Sequence, residues 1–389
     1  MNVLINAMNI LDRGGCGLYT RELIRGVLEA DGIRASLSIP ESKFRSIGQV
    51  KDIRINEDII AHTVIPKETK LSLFPESFWH YLTLPAWERR QEFDIFHDPA
   101  QIGGFTLRSP SKKILTVHDL SPLTHPDVHP KERVLKHKYL LPQIISNTDL
   151  VVVPSNATGR DVAEILGTDE NRIMTIHLGC DHLKDERKAD FSMLKKKMGM
   201  DSQNPFILLT VSTLEPRKNI EVIVDAFEML CTLDVEKDDF YLVIVGDWGW
   251  KNEELEKRIA RSPFLKNIVI TGRIKDDALV TLYEKSSVFA CMSIKEGFGL
   301  PPLEAQFFGL PTVISSDEAL MEVSGRGALL VKSDDNKKKM AEDLLNNIMN
   351  IRTKPELRKE MIDKGKRNAA KYTWRKFTQN IIQAYDSVL

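Results

Sequence analysis

Cysteines are few in this sequence, and none of them form a recognisable pair. The four cysteines among 389 residues lie far apart and form no C-x-x-C motif. A chain of this length, with 42% hydrophobic residues, buries enough apolar surface to fold without cross-links. The composition therefore predicts a globular protein of two or three domains in a reducing, cytoplasmic compartment.

Long apolar runs and an excess of one charge are also lacking. No window approaches the roughly 18 to 20 apolar residues of a membrane-spanning helix. Residues 1–6 have neither the basic region nor the apolar region of a signal peptide. The formal net charge is −1, so no net basic domain indicates a nucleic-acid partner. Any membrane contact is therefore expected to be peripheral, at the inner face of the membrane.

Signatures of several enzyme classes are absent from the sequence. There is no G-x-S-x-G elbow and no H-E-x-x-H pair, and Cys180 near His182 has no further partners at ligand spacing. The acidic pairs at 276–277 and 334–335 fit helix starts or loops better than a cation site. We therefore expect no bound metal and no cofactor. A bound diphosphate would have to be neutralised by protein cations and helix dipoles.

Short apolar runs alternate with helical patterns along the whole chain. Strands are predicted at 3–7, 94–97, 114–117, 150–153, 173–176, 206–211, 241–245, 268–270, 288–291 and 312–314. This alternation is typical of parallel sheets covered by helices. We expect two doubly wound α/β domains facing a cleft, residues 1–195 and 205–373, with a Lys-rich connection between them. An apolar face on the final segment, 374–389, predicts a helix that buries against another part of the protein.

Two carboxylates flank a loop that reads EGFGLPPLE, residues 296–304. Either proline would start a helix well, and the glycines allow close backbone approach to a ligand. The free N–H groups of the helix start favour a phosphate, and a neighbouring carboxylate accepts from the vicinal hydroxyls of a ribose or sugar. The alternative is that Glu304 only complements the helix dipole and Glu296 is a solvated acid.

A second loop carries Arg217 and Lys218 at the opening of a predicted helix, 220–229. Cations at this end of a helix are unfavourable for its dipole, so a bound anion would explain them. The planar fork of arginine and the point charge of lysine together suit a diphosphate. A solvated basic pair is the alternative.

Two strand-end loops of the N-terminal half are weaker candidates. Residues 14–17, Gly-Gly-Cys-Gly, precede a helix predicted at 20–28. They allow close approach to a ligand but match no nucleotide fingerprint, so a tight turn is an equal alternative. His118 follows another strand, where it would hydrogen-bond a sugar hydroxyl or a leaving oxygen, with Asp119 steering its tautomer or the acceptor. A structural histidine is the alternative there.

Together these motifs resemble the family 4 retaining glycosyltransferases of the GT-B architecture. The resemblance covers nearly the whole chain and is carried by residues 15–23, 93–97, 117–120, 153–155, 214–219, 272–274 and 296–304. The two glutamates with seven residues between them and the run Glu-Pro-Arg-Lys-Asn at 215–219 are the most specific of these motifs.

The resemblance implies a set of site residues. The catalytic residues it implies are Glu296, His118, Arg217 and Lys218. The donor-binding residues are Gly15, Gly17, Thr213, Arg217, Lys218, Gly272, Arg273, Ile274, Glu296, Gly297, Phe298, Gly299, Leu300 and Glu304. Asp119 and Tyr19 are its acceptor-side candidates.

The family also implies which part of the donor each of these residues binds. The Arg–Lys pair would hold the diphosphate, Glu304 the ribose hydroxyls and Glu296 the transferred sugar. Residues 272–274 match the place where the base rests, and the final helix would return to the first domain. In the family's usual mechanism the leaving diphosphate accepts the acceptor's proton, so the protein mainly stabilises the departing anion.

The segment 118–133 looks most like members that transfer mannose from GDP-mannose to a glycan or lipid-linked acceptor in surface-polysaccharide assembly. A UDP-sugar-dependent glucosyl-type transferase remains an alternative, as does a non-catalytic nucleotide-sugar- or glycan-binding protein. A nicotinamide-dependent oxidoreductase, an epimerase and a phosphorylase share similar architecture. Residues 133–140 predict either a basic, half-apolar helix that contacts anionic lipid or an ordinary surface helix.

Overall fold

The structure is a computed structural model that describes residues 1–40, 63–64, 84–101, 110–233 and 239–389. The chain divides into two compact units, which are described separately. Unit 1 comprises Met1–Leu123, Glu132–Gly179 and Trp374–Leu389. Unit 2 comprises Thr124–Lys131 and Cys180–Thr373.

Unit 1 is built on a seven-stranded sheet of order β3-β2-β1-β4-β5-β6-β7, in which every described pair is parallel. Its strands are β1 (Asn2–Asn6), β2 (Arg34–Ser38), β3 (Thr63–Val64), β4 (Ile95–Asp98), β5 (Lys112–Thr116), β6 (Leu150–Val153) and β7 (Ile173–Thr175). Central strands such as β6 are buried along their whole length, as expected when helices cover both faces of a sheet.

Unit 2 is built on a six-stranded parallel sheet of order β10-β9-β8-β11-β12-β13. Its strands are β8 (Phe206–Val211), β9 (Phe240–Val245), β10 (Ile268–Gly272), β11 (Val288–Cys291), β12 (Thr312–Ser315) and β13 (Ala328–Val331). Strand β9 is apolar and fully buried, and it pairs with β8 in register over six residues. The reversal of strand order between β8 and β11 is the switch point at which ligands bind in open α/β sheets.

The described helices lie between these strands or follow the last of them. They are α1 (Gly15–Leu28), α2 (Leu84–Glu88), α3 (Ser121–Thr124), α4 (Lys131–Tyr139), α5 (Leu141–Ser146), α6 (Asn156–Leu166), α7 (Phe191–Lys197), α8 (Ile220–Leu233), α9 (Glu253–Ala260), α10 (Asp276–Lys285), α11 (Leu300–Phe307), α12 (Glu318–Ser324), α13 (Lys337–Thr353), α14 (Pro355–Ala369) and α15 (Trp374–Asp386). Among the described residues, no helix is both long enough and apolar enough to cross a membrane.

The predicted boundary between the domains differs from the one in the structure. The first domain was expected to extend to residue 195, but the chain passes from unit 1 to unit 2 at Gly179–Cys180. The reason is local packing, because Leu194 of α7 is buried in the same apolar core of unit 2 as Ile207 of β8. The eight residues Thr124–Lys131 also pack in unit 2, which the sequence did not predict.

The last helix, α15, lies in unit 1 and packs against α1. The Phe377 ring meets the Tyr19 ring of α1 edge-to-face, with centroids 5.1 Å apart. The apolar face seen in the sequence is this buried side, since Phe377, Ile381 and Tyr385 are all fully buried. The helix ends at Asp386, three residues before the predicted end.

Candidate functional site

Glu296 lies on the loop between β11 and α11 and contacts two cations from the loop after β8. Lys218 Nζ donates to Glu296 Oε1 at 2.5 Å, and Arg217 Nη1 donates to Oε2 at 2.9 Å. Arg217 also donates to the Lys295 carbonyl at 2.8 Å and, through Nε, to Glu215 Oε1 at 3.0 Å. Three of the four predicted catalytic side chains therefore form one cluster in unit 2.

The backbone before α8 explains how two consecutive cations reach the same carboxylate. Residues Pro216–Lys218 form a single 3₁₀ turn, and Asn219 then adopts a left-handed conformation with φ 50°. Asparagine tolerates this conformation better than most residues. The Arg217 carbonyl accepts from the Ile294 backbone N–H at 2.8 Å, which ties this turn to the loop that carries Glu296.

The cluster is largely shielded from water. The side chains of Glu296, Arg217 and Lys218 are 11%, 12% and 16% exposed. Burial alone would raise the pKa of Glu296, but the Lys218 ammonium and the Arg217 guanidinium lower that pKa to about 2. Glu296 is therefore negatively charged at neutral pH. The alternatives of a solvated acid and a solvated basic pair do not hold in this structure.

Glu304 lies in α11 and is almost completely buried. The Tyr283 hydroxyl donates to its Oε2 at 2.6 Å, and His182 Nε2 lies 3.3 Å from Oε1. Both carboxylate oxygens therefore contact protein side chains in the same unit. The resemblance implied a carboxylate that faces ribose hydroxyls, so this role requires the Tyr283 or His182 contact to rearrange or to be shared.

The remaining residues of this loop form the start of α11. The helix begins at Leu300, one residue before the earlier of the two predicted prolines. Gly299 precedes it in a left-handed conformation with φ 99°, and a Cβ there would lie 2.5 Å from Leu320 Cδ2. Only glycine satisfies both constraints. Phe298 is buried, and its ring meets the Tyr372 ring edge-to-face with centroids 6.0 Å apart. Gly297 is the residue that links Glu296 to Phe298 along the chain.

The predicted base-binding segment, residues 272–274, follows β10. The Gly272 carbonyl accepts from the Gly246 backbone N–H at 3.0 Å, and the Arg273 backbone N–H donates to Asp247 Oδ1 at 3.1 Å. Ile274 packs against the apolar core of unit 2. Thr213 is an exposed residue in the loop after β8. The roles of these residues at the donor stay predictions.

His118 in unit 1 is held from two sides. Its Nε2 donates to the Pro99 carbonyl at 2.8 Å, and its backbone N–H donates to Gln101 Oε1 at 3.2 Å. Desolvation would lower the pKa of His118, but the negative charge of the Cys16 thiolate and the hydrogen bond to the Pro99 carbonyl raise it to about 9. Desolvation would likewise raise the pKa of Cys16, and the His118 imidazolium outweighs this effect and lowers it. The two groups therefore favour a thiolate–imidazolium pair.

The glycines beside Cys16 differ in their surroundings. A Cβ on Gly17 would lie 1.7 Å from the Asp12 carbonyl oxygen, so the tight-turn interpretation applies at that position. Gly15 is exposed, and a Cβ there would have no neighbour within 4 Å. Helix α1 already starts at Gly15, whereas the sequence predicted a start at Thr20.

The structure corrects the acceptor-side role expected for Tyr19. This side chain is fully buried, and its hydroxyl shares a hydrogen bond of 2.9 Å with Thr116 Oγ1. Its ring packs edge-to-face against His118 with centroids 5.0 Å apart, so Tyr19 supports His118 and does not face solvent. Asp119 is half-buried, and its Oδ1 accepts from the Ser121 backbone N–H at 2.9 Å.

Sequence reasoning missed the residues that hold the candidates in place. Gln101, Tyr283 and His182 each contact a predicted site residue, yet none stands in a recognisable motif with it. Glu215 stands in the motif at 215–219, but the sequence assigned it no role, and it binds Arg217. The unusual feature that marks Gln101, a left-handed backbone with φ 65°, is visible in the structure and not in the sequence. Within the described ranges, no group of three or more His, Cys, Asp or Glu side chains is placed to hold a metal ion.

Two family models together match most of this chain. The model described as Glycosyltransferase Family 4 matches residues 13–183, and the model described as Glycosyl transferases group 1 matches residues 195–368. The chain belongs to the glycosyltransferases. The predicted resemblance to glycosyltransferases is thereby confirmed, and the retaining mechanism stays a prediction.

Two curated relatives of this glycosyltransferase come from Escherichia coli. O-antigen chain mannosyltransferase B is 28% identical over 303 residues, which cover 77% of this chain and 76% of that protein. The serotype-specific mannosyltransferase WbdA is 25% identical over 288 residues, and this match covers 72% of this chain but 34% of WbdA. The chain therefore spans about three quarters of the first relative and about a third of the second.

Solved structures show the fold. Sucrose-phosphate synthase from Thermosynechococcus elongatus superposes with a TM-score of 0.76 at 19% identity, covering 100% of this chain and 99% of that chain. HepE from Anabaena, solved in complex with UDP-glucose, superposes with a TM-score of 0.75 at 17% identity over the whole of both chains. The predicted GT-B fold of two parallel-sheet α/β domains is confirmed.

Proposed function

We propose that this glycosyltransferase is a retaining mannosyltransferase that uses GDP-mannose as donor. Its acceptor is a glycan or a lipid-linked saccharide in surface-polysaccharide assembly. The observation that carries the proposal is the cluster of Arg217, Lys218 and Glu296 in unit 2, where two largely shielded cations converge on one carboxylate. The mannosyltransferases similar to this chain support the choice of donor.

The cluster supplies positive charge where a diphosphate departs. The Lys218 ammonium has three N–H donors, and its hydrogen bond to Glu296 uses one of them. The other two are suited to phosphate oxygens. Arg217 is held more firmly, by Glu215, Lys295 and Glu296, so it acts chiefly through its fixed charge. A preorganised charge in a shielded site stabilises a leaving anion far more than the same charge in water.

The other site roles belong to the same proposal. Glu296, with the backbone of residues 297–300, holds the transferred sugar, and Glu304 reads the ribose. Residues 272–274 hold the base, Thr213 lies beside the phosphates, and Gly15 and Gly17 close over the donor. His118 and Asp119 act at the sugar and the acceptor, and neither metal nor cofactor is required.

Peripheral membrane contact is proposed for α4. Leu135 and Tyr139 lie four residues apart on this helix and are 52% and 58% exposed. The helix also carries Lys131, Arg133, Lys136 and Lys138, of which Lys136 pairs with Glu132 at 2.7 Å. Exposed apolar side chains among cations suit the surface of an anionic bilayer at the inner face of the membrane, where a lipid-linked acceptor would lie.

The donor is tested by the thermal midpoint in the presence of GDP, UDP, ADP and their sugar conjugates, with and without EDTA. A ligand that binds only the native state must raise the midpoint. We expect GDP and GDP-mannose to raise it, with no effect of EDTA, and we expect Lys218→Met to abolish the shift. A shift with UDP compounds alone would select the glucosyl-type alternative, for which the UDP-glucose complex of HepE is a precedent.

Catalysis and stereochemistry need a second measurement. With GDP-mannose and a mannose-terminated acceptor, we expect a product whose new linkage keeps the α configuration of the donor, read from its anomeric NMR coupling. Donor binding without transfer or donor hydrolysis would favour the non-catalytic alternative, and an inverted linkage would contradict retention.

A further inference from the structure

Residues 124–131, which we call the strap, belong to unit 2 although the residues on both sides of them belong to unit 1. Within unit 2 the strap contacts the loop after β9. Trp250 Nε1 donates to the Val128 carbonyl at 2.9 Å, and Lys251 Nζ donates to the Asp127 carbonyl at 2.6 Å. Two consecutive carbonyls of the strap are therefore bound by two consecutive side chains.

A third contact and a strained backbone mark the same place. The His129 ring lies 5.8 Å from the Trp250 ring between centroids, with 35° between their planes. Lys251 has a left-handed backbone with φ 52°, one of three non-glycine residues in the described ranges with positive φ. Such a conformation persists when surrounding contacts hold it. The hydrogen bond from Lys251 Nζ to the strap is one such contact.

The loop after β9 also supports the loop that leads to the Arg–Lys pair. The Leu214 backbone N–H donates to the Asp247 carbonyl at 2.9 Å, and the Gly249 backbone N–H donates to the Leu214 carbonyl at 2.9 Å. Leu214 is fully buried. The next residue, Glu215, binds the Arg217 guanidinium. Hydrogen bonds alternating with peptide links between adjacent residues therefore join the strap to the candidate diphosphate site.

We propose that Trp250 and Lys251 are positioning residues for the donor diphosphate. By binding the strap they hold the loop after β9 in the conformation that places Leu214 and Glu215, and through them Arg217. This inference rests on the proposed function of the Arg–Lys pair. If the loop adopts its binding conformation only part of the time, the apparent affinity for the nucleotide falls by that fraction.

The first test compares two tryptophans of the same loop. Trp250→Phe keeps an aromatic ring and removes the N–H donor, and Trp250→Ala removes the ring as well. The Trp248 backbone bridges Leu214, but its side chain is 41% exposed and has no hydrogen bond or ring contact to the strap in the described structure. Trp248→Phe and Trp248→Ala change only this side chain and are therefore matched controls. Lys251→Met tests the second contact.

The readout is the dissociation constant for GDP by calorimetry, followed by the donor KM and kcat. We expect Trp250→Phe and Lys251→Met each to weaken GDP binding about three- to tenfold, the effect of one ordinary hydrogen bond. The donor KM should rise by a similar factor. Trp248 variants should stay within about twofold of the wild type. Equal effects at both tryptophans, or unchanged GDP binding in Trp250→Ala, would overturn the proposal.

Two controls separate the possible failures. If Trp250→Ala lowers the thermal midpoint strongly, the comparison rests on Trp250→Phe and Lys251→Met at a temperature where both are folded. Lys218→Met tests the diphosphate site itself. If Lys218→Met abolishes GDP binding and the strap variants do not affect it, only the strap proposal fails. If Lys218→Met binds GDP normally, or no nucleotide binds the wild type, the proposed function fails and the strap proposal fails with it.

Discussion

At the scale of single residues, Glu296 has two opposing effects on its site. It neutralises the Arg217 and Lys218 charges when no ligand is present, which permits two cations to be nearly buried side by side. It also competes with any diphosphate for their N–H donors. A transferase gains from this balance, because cations that bind the product diphosphate too tightly would slow its release.

Replacing Glu296 with Gln tests the first effect. The substitution leaves two shielded cations without a counter-charge, so we expect a loss of about 1–3 kcal/mol in the free energy of unfolding at pH 7. The pKa of Glu296 is lowered, so its contribution to stability is present above the unfolded-state pKa of about 4.3 and is lost as pH falls towards 2. Urea unfolding at pH 7, 5 and 3 measures this. A difference between wild type and variant that stays constant down to pH 3 would contradict the charge pairing.

The second prediction at this scale concerns the reactivity of Cys16 beside His118. Because the imidazolium lowers the pKa of the Cys16 thiol, we expect iodoacetamide to alkylate this exposed cysteine readily at pH 7. The His118 pKa of about 9 means that the imidazolium persists through neutral pH. His118→Gln should therefore slow alkylation at pH 7, and the difference should disappear above about pH 9, where an ordinary thiol also ionises.

Peptide mass spectrometry provides the rate and an internal reference. Cys231 is half-exposed, and burial raises its pKa to about 12, so it should react slowly in every variant. An unchanged Cys16 rate in His118→Gln would show that the two side chains do not interact.

At the scale of elements, apolar runs such as β6 and β8 were predictable from the sequence because the buried strands of a parallel sheet read as near-continuous apolar runs. Strand β2, with the sequence RASLS, and strand β13, with ALLV, were not predicted. The first alternates polar residues, and the second consists mostly of good helix formers, so tertiary packing decides both. The start of α1 was missed because glycines in a first turn contradict helix propensity.

Some features of the candidate site were likewise predictable from the sequence, and others were not. Motif spacing was enough to name Glu296 and Lys218, whose loops follow adjacent strands β11 and β8. It was not enough to find the Tyr283 hydroxyl on Glu304, because these residues lie in different helices and the contact depends on how α10 and α11 pack. Hydrogen-bond partners of this kind carry no local sequence signal.

A buried series of side-chain hydrogen bonds in unit 1 leads to a prediction about the stability of α15. The Tyr385 hydroxyl pairs with His97 Nδ1 at 2.9 Å, and His97 Nε2 pairs with Thr116 Oγ1 at 2.9 Å. Burial lowers the pKa of His97 to about 3, so its ring is neutral. Tyr385→Phe removes the partner of Nδ1 in a fully buried place, and we expect a loss of about 1–3 kcal/mol in unfolding free energy.

Tyr139→Phe is the control for this prediction. Tyr139 is 58% exposed, so removal of its hydroxyl should change the free energy of unfolding by less than about 0.5 kcal/mol. Urea unfolding of both variants measures the contrast. A loss in Tyr385→Phe no larger than that in Tyr139→Phe would mean that the buried series of hydrogen bonds does not stabilise α15.

At the scale of the whole molecule, two units of similar architecture carry different groups of candidates. Unit 2 holds the Arg217–Lys218–Glu296 cluster, and unit 1 holds the Cys16–His118 pair. If the diphosphate binds to the cluster, ligand binding stabilises unit 2 directly. A native-state ligand at 100 times its dissociation constant adds about 2.7 kcal/mol to the free energy of opening. Amide exchange slows where local opening releases the ligand.

Hydrogen exchange with and without GDP therefore locates the site without an acceptor. We expect slower exchange in residues 212–219 and 293–304 of unit 2, and no such protection in Lys218→Met at the same GDP concentration. Buried strands of both sheets should serve as the reference, because their exchange already requires large openings. Protection confined to unit 1 segments would contradict the assignment of the diphosphate to the cluster. In that case a nucleotide could raise the thermal midpoint without binding to the residues on which the proposed mechanism depends.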